Sequence, residues 1–500
     1  MNNLINYIRK NPALVISAVV WIFYAIFHVR LLSLGHDSSG FFQTIYNGAL
    51  QEGFNFSWFH PHHALVKGVY ILLLKALFFL GVSMSPNSAL VALSYINITC
   101  TTGLVYIFFQ LMYKKGGSSL KIAILSTSLF ATSYITWIYL TSIDIYPLSF
   151  LIGAIALIKC MDAKKVRDSP LKIGLLLGTA SLFHIQNVFI GIIVFVHWIQ
   201  KSITFKSFYR FFCTSTVLFL AVYFILIKLK SPYFSFSFIH ILELFQAKSG
   251  ASYSFSMKSV IFSLFSVART FFGGMFLFSD VLKDTLIELI PLHHLHDEFF
   301  LMRNLWRGLF FPLIFITVLG SGVLLYLISR IHYNKITINI IVFLLCNFFL
   351  GLITDPLDLD KFIFFPILLF YLIPKKPKGM LVLGGCLLFV NYFGAMQHVN
   401  TLDNDYFYTQ VKAIDQDYDS DDLVIIDFSY QYSRYIKLFT SLDNVIYLTS
   451  ETKESLFNKK KMALDKGDRV YIHPNVTKPT TYFIHKYKTK EDPLLKFNSH

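Results

Sequence analysis

Long apolar runs, separated by short polar segments, occupy most of the chain from residue 11 to residue 398. A helix needs about 20 apolar residues to cross the hydrocarbon core of a bilayer. By this measure we predict about eleven transmembrane helices in a mainly α-helical chain. They cover approximately residues 11–34, 88–112, 120–140, 145–162, 171–186, 187–200, 210–229, 307–330, 337–354, 361–374 and 379–398.

Two features of this pattern need a separate interpretation. The runs 171–186 and 187–200 are too short for a pair of ordinary spans, and they fit either one long helix or a broken hairpin. At the N-terminus, Arg9 and Lys10 precede an apolar stretch that has no small-residue cleavage site after it. This predicts an uncleaved first span rather than a removable signal peptide.

The basic residues gather in short clusters between the apolar runs. Cytoplasmic loops of membrane proteins carry an excess of Lys and Arg, so we expect the N-terminus and these clusters in the cytoplasm. The opposite loops are then 35–87, 141–144, 184–187, 230–306, 355–360 and the chain after 398. This topology requires the segment 61–82, which Lys67 and Lys75 interrupt, to lie at the outer interface instead of crossing the membrane.

Composition supports a multi-pass membrane protein. The chain is 55% hydrophobic and only 15% charged, values far from those of soluble proteins. Its net charge of +15 is spread over the loop clusters, which argues against nucleic-acid binding because that needs a continuous basic surface. The five cysteines show no CxxC spacing and indicate single buried thiols. The Lys, Asn, Ile and Phe bias favours a bacterial plasma (inner) membrane.

The composition changes to that of a soluble protein after about residue 400. Strand-like runs such as "DDLVIIDFS" and "DRVYIHP" alternate with helix-like segments, which predicts a small parallel α/β domain. We therefore divide the chain into a transmembrane domain, 1–400, and an extracytoplasmic domain, 401–500. Within the first, 35–87 and 230–306 are predicted to contribute interfacial helices on the outer face.

Three outward sites carry acids at the edge of the membrane, where an unpaired carboxylate is costly. They are Asp37 after the first span, Asp144 in the short turn "YLTSIDIYPLSF", and the segment "TDPLDLDKFIFFP" with Lys361. Helix capping is an alternative explanation for Asp37 and for Asp144, because Asp is a good N-cap. Both acids are nevertheless predicted on the same side, which makes them candidates for catalysis.

Basic and imidazole groups on the same side are candidates for binding an anion. His60, His62 and His63 form one cluster, and His184 lies at the turn of the doubtful hairpin. The cluster fits a metal site, an interfacial group without a role, or hydrogen bonds to a phosphate oxygen. Arg269 and Arg303 lie on the predicted outer side, where guanidinium groups suit phosphate clamping or contact with lipid headgroups.

The order of these motifs resembles the GT-C superfamily of membrane glycosyltransferases, and it is most similar to the branch with protein O-mannosyltransferases and lipid A aminoarabinose transferases. The matching stretches are "HDSSGFFQTIYNGAL", "FHPHHALVKGVY", the acid Asp144, "GLLLGTASLFH" and "DPLDLDKFIFFP". The chain departs from the family pattern at Ser38, which follows the early Asp, at His62 in place of a second proline, and at His184 in place of a lysine.

The resemblance implies transfer of a sugar from a polyprenyl-phosphate donor to a lipid, glycan or protein acceptor on the outer face. In this interpretation Asp37 is the general base. Asp144 orients the acceptor or helps to bind a divalent metal, whose use is left open. The donor phosphate is expected near His60, His62, His63, His184, Arg269, Arg303 and Lys361.

Two other functions fit parts of the pattern. A transporter or flippase for a lipid-linked or anionic substrate is the main alternative, although such proteins usually show internal repeats and polar residues at the bilayer midplane. A non-catalytic scaffold whose C-terminal domain binds envelope partners is the second.

Overall fold

The computed structural model describes residues 11–32, 38–51, 58–60, 62–230, 256–279, 281–282, 285–286, 305–373, 375–426, 430–447 and 453–472. Asp37, Arg303 and most of the predicted outer segment 230–306 lie outside these residues. The described chain is mainly helical, with three short strands near its end.

Every predicted apolar run contains a helix. In the described residues before 401 the helices are Pro12–Ile26, Ser38–Leu50, Val66–Phe79, Pro86–Gln110, Leu120–Thr132, Tyr146–Cys160, Ala163–Asp168, Pro170–Phe183, Gly191–Ile199, Phe205–Lys230, Met257–Phe272, Arg307–Ile328, Lys335–Thr354, Phe365–Leu372, Pro377–Asn391 and Gln397–Val399. Short π-helical segments (Leu111–Lys115, Ile135–Tyr139, Tyr392–Met396) and 3-10 turns (Ile185–Ile190, Met275–Phe278, Leu359–Phe362, Leu402–Asn404) extend or join them. Side-chain caps fix several starts: Ser85, Ser119 and Asn334 each accept a bond from a backbone N–H three residues on.

Five helices in the described chain are long and apolar enough to cross a membrane: Pro86–Lys114, Phe205–Lys230, Arg307–Ile328, Lys335–Thr354 and Pro377–Val399. On the helix Arg307–Ile328, about two thirds of the surface of Phe311, Phe315 and Val318 is exposed, as expected of side chains that contact lipid. The protein is therefore a helical membrane protein. Five further apolar helices are shorter. Counting the helices that are long enough to span a membrane therefore does not give the eleven spans that the sequence predicts.

The segment 170–200 is a broken hairpin, which decides between the two alternatives left open by its sequence. His184 has extended backbone angles and ends the helix Pro170–Phe183. On the returning arm, Gln186 contacts Asn347 and Gln200 contacts Asn339, so this arm runs antiparallel to the helix Lys335–Thr354. The turn of the hairpin consequently lies at the same end of the bundle as residue 355.

The predicted interfacial segment 61–82 contains the helix Val66–Phe79, which has 14 residues. This is shorter than a bilayer span. The helix packs on Ser38–Leu50 through Tyr70, Ile71 and Leu74, whereas Phe79 at its end is 90% exposed. Its length suits the interfacial interpretation, which stays a prediction.

The last part of the chain alternates helices with parallel strands. β1 (Leu423–Ile426) lies between β2 (Val445–Tyr447) and β3 (Val470–Ile472), and both neighbours pair with it in parallel. The helices Tyr406–Asp417, Tyr430–Phe439 and Lys453–Lys466 precede the three strands in turn. Parallel pairing needs such crossover connections.

One hydrophobic cluster joins this part of the chain to the helices Ser38–Leu50 and Val66–Phe79. Phe407, Val411 and Tyr435 are buried in the same cluster as Phe42 and Tyr70. The apolar core therefore continues across residue 400, the predicted domain boundary. The division into two domains stays a prediction.

Candidate functional site

Four segments that are far apart in sequence meet at one end of the helix bundle. The backbone N–H of Leu65 donates to the carbonyl of Leu182 at 3.1 Å, and that of Ile185 donates to the carbonyl of His62 at 3.0 Å. These bonds hold His62 and Leu65 against the hairpin turn at His184. The loop 355–361 and the residues around Tyr146 complete the group.

The imidazole rings of this region lie close together. The ring centre of His63 is 4.7 Å from that of His184 and 5.2 Å from that of His60, on which it stacks. The backbone N–H of His62 donates to Nδ1 of His60 at 3.2 Å. Burial, with neighbouring His184 adding to it, lowers the pKa of His63 well below its usual range, so His63 is neutral at pH 7. Its Nδ1 has no hydrogen-bond partner in the described part of the chain.

Asp360 is a buried carboxylate that three side chains surround. Lys361 Nζ lies 2.6 Å from one of its oxygens, and the hydroxyl of Tyr146 donates to the other at 3.2 Å. Nε2 of His184 is 3.8 Å from that second oxygen, too far for a hydrogen bond. Lys361 also lies 3.4 Å from Asp358, so its charge is shared between two carboxylates.

The loop that carries these acids is shaped by local capping and supported from behind. Asp358 caps the 3-10 turn Leu359–Phe362 by accepting from the N–H of Asp360. Behind it, Ser266 donates to the carbonyl of Pro356 at 2.8 Å, and Arg269 reaches the carbonyl of Leu357 at 3.5 Å. The helix Met257–Phe272 therefore determines where the loop lies.

Two acids of this loop hold protons more tightly than free aspartates do. Burial, with the charge of Asp358 next, raises the pKa of Asp355 to about 6. Burial, with the charge of Asp360 next, raises the pKa of Asp358 to about 6 as well. Both carboxyl groups consequently titrate close to neutral pH, as general acids and bases do.

A small cavity of about 10 Å³ opens beside Asp360 and His184, and Tyr146 and Asn187 also line it. This volume is near the minimum that holds one water molecule. Nδ1 of His184 accepts from the N–H of Gln186 at 3.2 Å, so Nε2 carries the proton in the neutral ring. That Nε2 has no hydrogen-bond partner in the described residues.

Asp144 is buried near Tyr139 and Tyr146. It accepts from the N–H of Ile145 at 2.6 Å and from the hydroxyl of Ser38 at 3.4 Å. The phenol of Tyr146, which stacks on Tyr139, lies within electrostatic range of Asp144 and Asp360. Asp144 is thus connected both to the acidic loop and to the start of the helix Ser38–Leu50, immediately after Asp37 in sequence.

The structure therefore brings together most of the residues predicted for the site that it describes: Asp144, His60, His62, His63, His184 and Lys361. Arg269 is buried under the loop 355–361 among phenylalanine rings and acts on the backbone of this loop. The predicted base Asp37 and the predicted clamp Arg303 lie outside the described residues. No group of three or more His, Cys, Asp or Glu side chains in the described residues is arranged to hold a metal ion.

Sequence reasoning missed several members of this site. Tyr146 was visible only as a residue flanking Asp144, and Asn187 carried no signal. Arg434 was also missed: it donates to the hydroxyl of Ser39 at 3.1 Å and covers Gly40, where a Cβ would lie 2.6 Å from the guanidinium carbon. A glycine early in a helix is the one sequence signal that indicates such a close approach.

The fold defines a class, a helical membrane protein with a polar site at one end of its helices. Comparison with known proteins adds nothing to this class, since neither any family model nor any curated protein matches the chain.

Proposed function

We propose that the protein is a membrane glycosyltransferase that transfers a sugar from a polyprenyl-phosphate donor to an acceptor outside the membrane. The observation that carries the proposal is the meeting of imidazoles, carboxylates and a lysine from four distant segments beside a cavity of about 10 Å³. Such polar groups at the end of apolar helices are costly to keep without a function.

The chemistry assigns a role to each group. Asp37, which precedes Ser38 in the chain, deprotonates the acceptor hydroxyl, and Asp144 orients the acceptor through the same helix start. The imidazoles of His60, His62, His63 and His184 donate hydrogen bonds to the leaving phosphate, where negative charge develops. Lys361 adds positive charge beside the imidazoles and forms an ion pair with the buried Asp360.

The loop acids suit a sugar substrate. Asp358 is half-buried and has a pKa of about 6, so it is mainly ionised at pH 7 and accepts hydrogen bonds from sugar hydroxyls. With Asp355 beside it, the loop is net negative, which favours the neutral sugar over the phosphate at this edge of the site. We place the phosphate on the histidine side for this reason.

The finer architecture belongs to the same proposal. We propose eleven spans of the GT-C type, a cytoplasmic N-terminus, and a plasma-membrane location. The three-stranded parallel sheet and its helices would form an extracytoplasmic α/β domain after residue 400. Arg434 would link that domain to the acceptor side of the site.

The test is mass spectrometry of lipid extracts from cells that lack the protein. We expect a polyprenyl-phosphate sugar to accumulate, and we expect the wild-type gene, but not the Asp37→Asn variant, to remove it. Normal levels of all lipid-linked sugars would contradict the proposal. Movement of an intact lipid-linked sugar across the membrane, without cleavage, would support the transporter alternative instead.

A further inference from the structure

A second polar cleft lies at the opposite end of the helices. Its volume is about 380 Å³, within the range of small-molecule pockets. It is lined by the loop before Leu120, by the residues that join Ile328 to Lys335, and by the C-terminal end of the helix Phe365–Leu372. The helix Lys335–Thr354 begins at this cleft and ends at the acidic loop, about 30 Å away for its 20 residues.

The cleft is cationic. Arg330, His332 and Lys375 line it, and no acidic residue is among its lining residues. Tyr326 holds Arg330 in place, since the guanidinium lies 5.5 Å from the ring centre. Lys375 is held by a 2.7 Å bond to the carbonyl of Gly116. Both cations are therefore oriented before any ligand binds.

An unused donor also lines the cleft. Ser118 is only 5% exposed, and its hydroxyl has no hydrogen-bond partner among the described residues. A buried hydroxyl without a partner is costly in a native structure, so this hydroxyl is available to a bound ligand. Gly117 has a φ of +59°, which gives the turn that carries Ser118 a conformation favoured by glycine.

We propose that this cleft is a binding site for a phosphate group, a function separate from the proposed sugar transfer. Arginine, lysine and a neutral hydroxyl are a common donor set for phosphate oxygens. Basic pockets between the ends of membrane helices bind the headgroups of anionic lipids. The same chemistry would hold a soluble phosphate ester, so the experiment compares these two sources.

The experiment is a binding titration on purified full-length protein in detergent, followed by native mass spectrometry. One arm uses phosphatidylglycerol, and the other uses glycerol phosphate, a soluble phosphate ester of glycerol without acyl chains. We expect the Arg330→Gln/Lys375→Gln double variant to weaken binding by tenfold or more, on the order expected when charge-assisted hydrogen bonds are removed. Ser118→Ala is expected to weaken it by about threefold, because it removes one neutral hydrogen bond.

Two further variants keep the test independent of folding. Arg210→Gln/Lys378→Gln removes one arginine and one lysine that are exposed and lie outside the cleft, and it should bind like the wild type. Arg330→Lys/Lys375→Arg preserves both charges and should retain most of the binding. Binding of the lipid alone identifies a headgroup site, and competition by glycerol phosphate identifies a site for soluble esters. Equal binding by the Arg330→Gln/Lys375→Gln variant and its control would overturn the proposal.

Discussion

At the residue scale, Asp360 connects the two halves of the candidate site. Its carboxylate forms an ion pair with the ammonium of Lys361 and accepts a hydrogen bond from the hydroxyl of Tyr146. Because it is buried, its charge is tolerated only while Lys361 compensates it. The same residue thus fixes the position of a lysine and of the aromatic ring that borders His184.

Asp360→Asn tests this residue directly. We expect loss of activity by at least about a hundredfold, because the amide cannot hold Lys361 beside the histidines. Stability should fall by about 2 kcal/mol, less than for a fully buried pair because Asp358 still contacts Lys361. Activity and thermal melting are measured on the same preparations. The control is Asp162→Asn, which changes a partly exposed capping acid. Wild-type activity in the Asp360→Asn variant would contradict the role assigned to Asp360.

The loop acids predict a pH dependence. In the folded protein the pKa of Asp355 and of Asp358 is about 6, above the value of 3.8 for the free side chain. The folded state therefore binds these protons more tightly, so this contribution to stability is complete below about pH 4 and is lost as the pH rises through 6. We expect about 1 kcal/mol for each carboxyl after allowing for solvent screening.

Melting curves of the wild type and Asp358→Asn between pH 4 and pH 8 measure this contribution. The variant should lose less stability than the wild type as the pH rises, because an amide does not titrate. Asp465→Asn, at an exposed position of the helix Lys453–Lys466, is the control. Parallel curves for Asp358→Asn and the wild type would show that the loop does not titrate in this range.

At the element scale, the helix Met257–Phe272 supports the acidic loop. Ser266 and Arg269 donate to the carbonyls of Pro356 and Leu357, the two residues directly before Asp358. A buried guanidinium that contacts backbone carbonyls and aromatic rings is a positioning group. The phosphate clamp that the sequence suggests for Arg269 stays a prediction beside this role.

Arg269→Lys separates these two roles. If Arg269 positions the loop, its replacement should lower kcat by about tenfold and leave the KM for the donor little changed. The reason is that a misplaced loop disturbs the geometry of the reacting groups. As a phosphate ligand, its replacement should raise KM instead. Steady-state kinetics distinguishes the outcomes, and Lys258→Gln, an exposed cation on the same helix, is the matched control.

At the scale of the whole molecule, a buried acid joins the membrane part to the C-terminal part. Asp405 accepts hydrogen bonds from the N–H of Leu32, the N–H of Phe407 and the hydroxyl of Tyr435. These partners come from both sides of residue 400 and belong to the shared apolar cluster. The C-terminal part is therefore packed onto the helices Ser38–Leu50 and Val66–Phe79 rather than tethered.

Asp405→Asn is expected to destabilise the protein by about 2–4 kcal/mol, because buried donors lose a charged acceptor. Asp403→Asn, two residues earlier at an exposed position, should have no effect beyond about 0.5 kcal/mol. Thermal melting of both variants provides the comparison. If the two variants melt alike, the C-terminal part does not depend on this network.

Local patterns predicted the helices better than their arrangement. Apolar runs of about 20 residues indicate helices because the bilayer leaves the backbone no other way to satisfy its hydrogen bonds. His184 illustrates the limit: its sequence context fitted a long helix or a hairpin. The hairpin is shown by the extended backbone of His184 and by the bond that Asn187 donates to the carbonyl of Ala180. Tyr146 and Arg434 were missed because their roles depend on partners hundreds of residues away, which no local pattern encodes.

The most direct test of the central proposal is a transfer assay with the purified protein in liposomes. The substrate is a polyprenyl-phosphate sugar fraction isolated from cells that lack the protein, and mass spectrometry follows the loss of the sugar from the lipid. We predict cleavage by the wild type and none above background by Asp37→Asn or Asp360→Asn, with Asp162→Asn as active as the wild type. Intact donor after incubation with correctly folded wild-type protein and acceptor extract would contradict the proposed function.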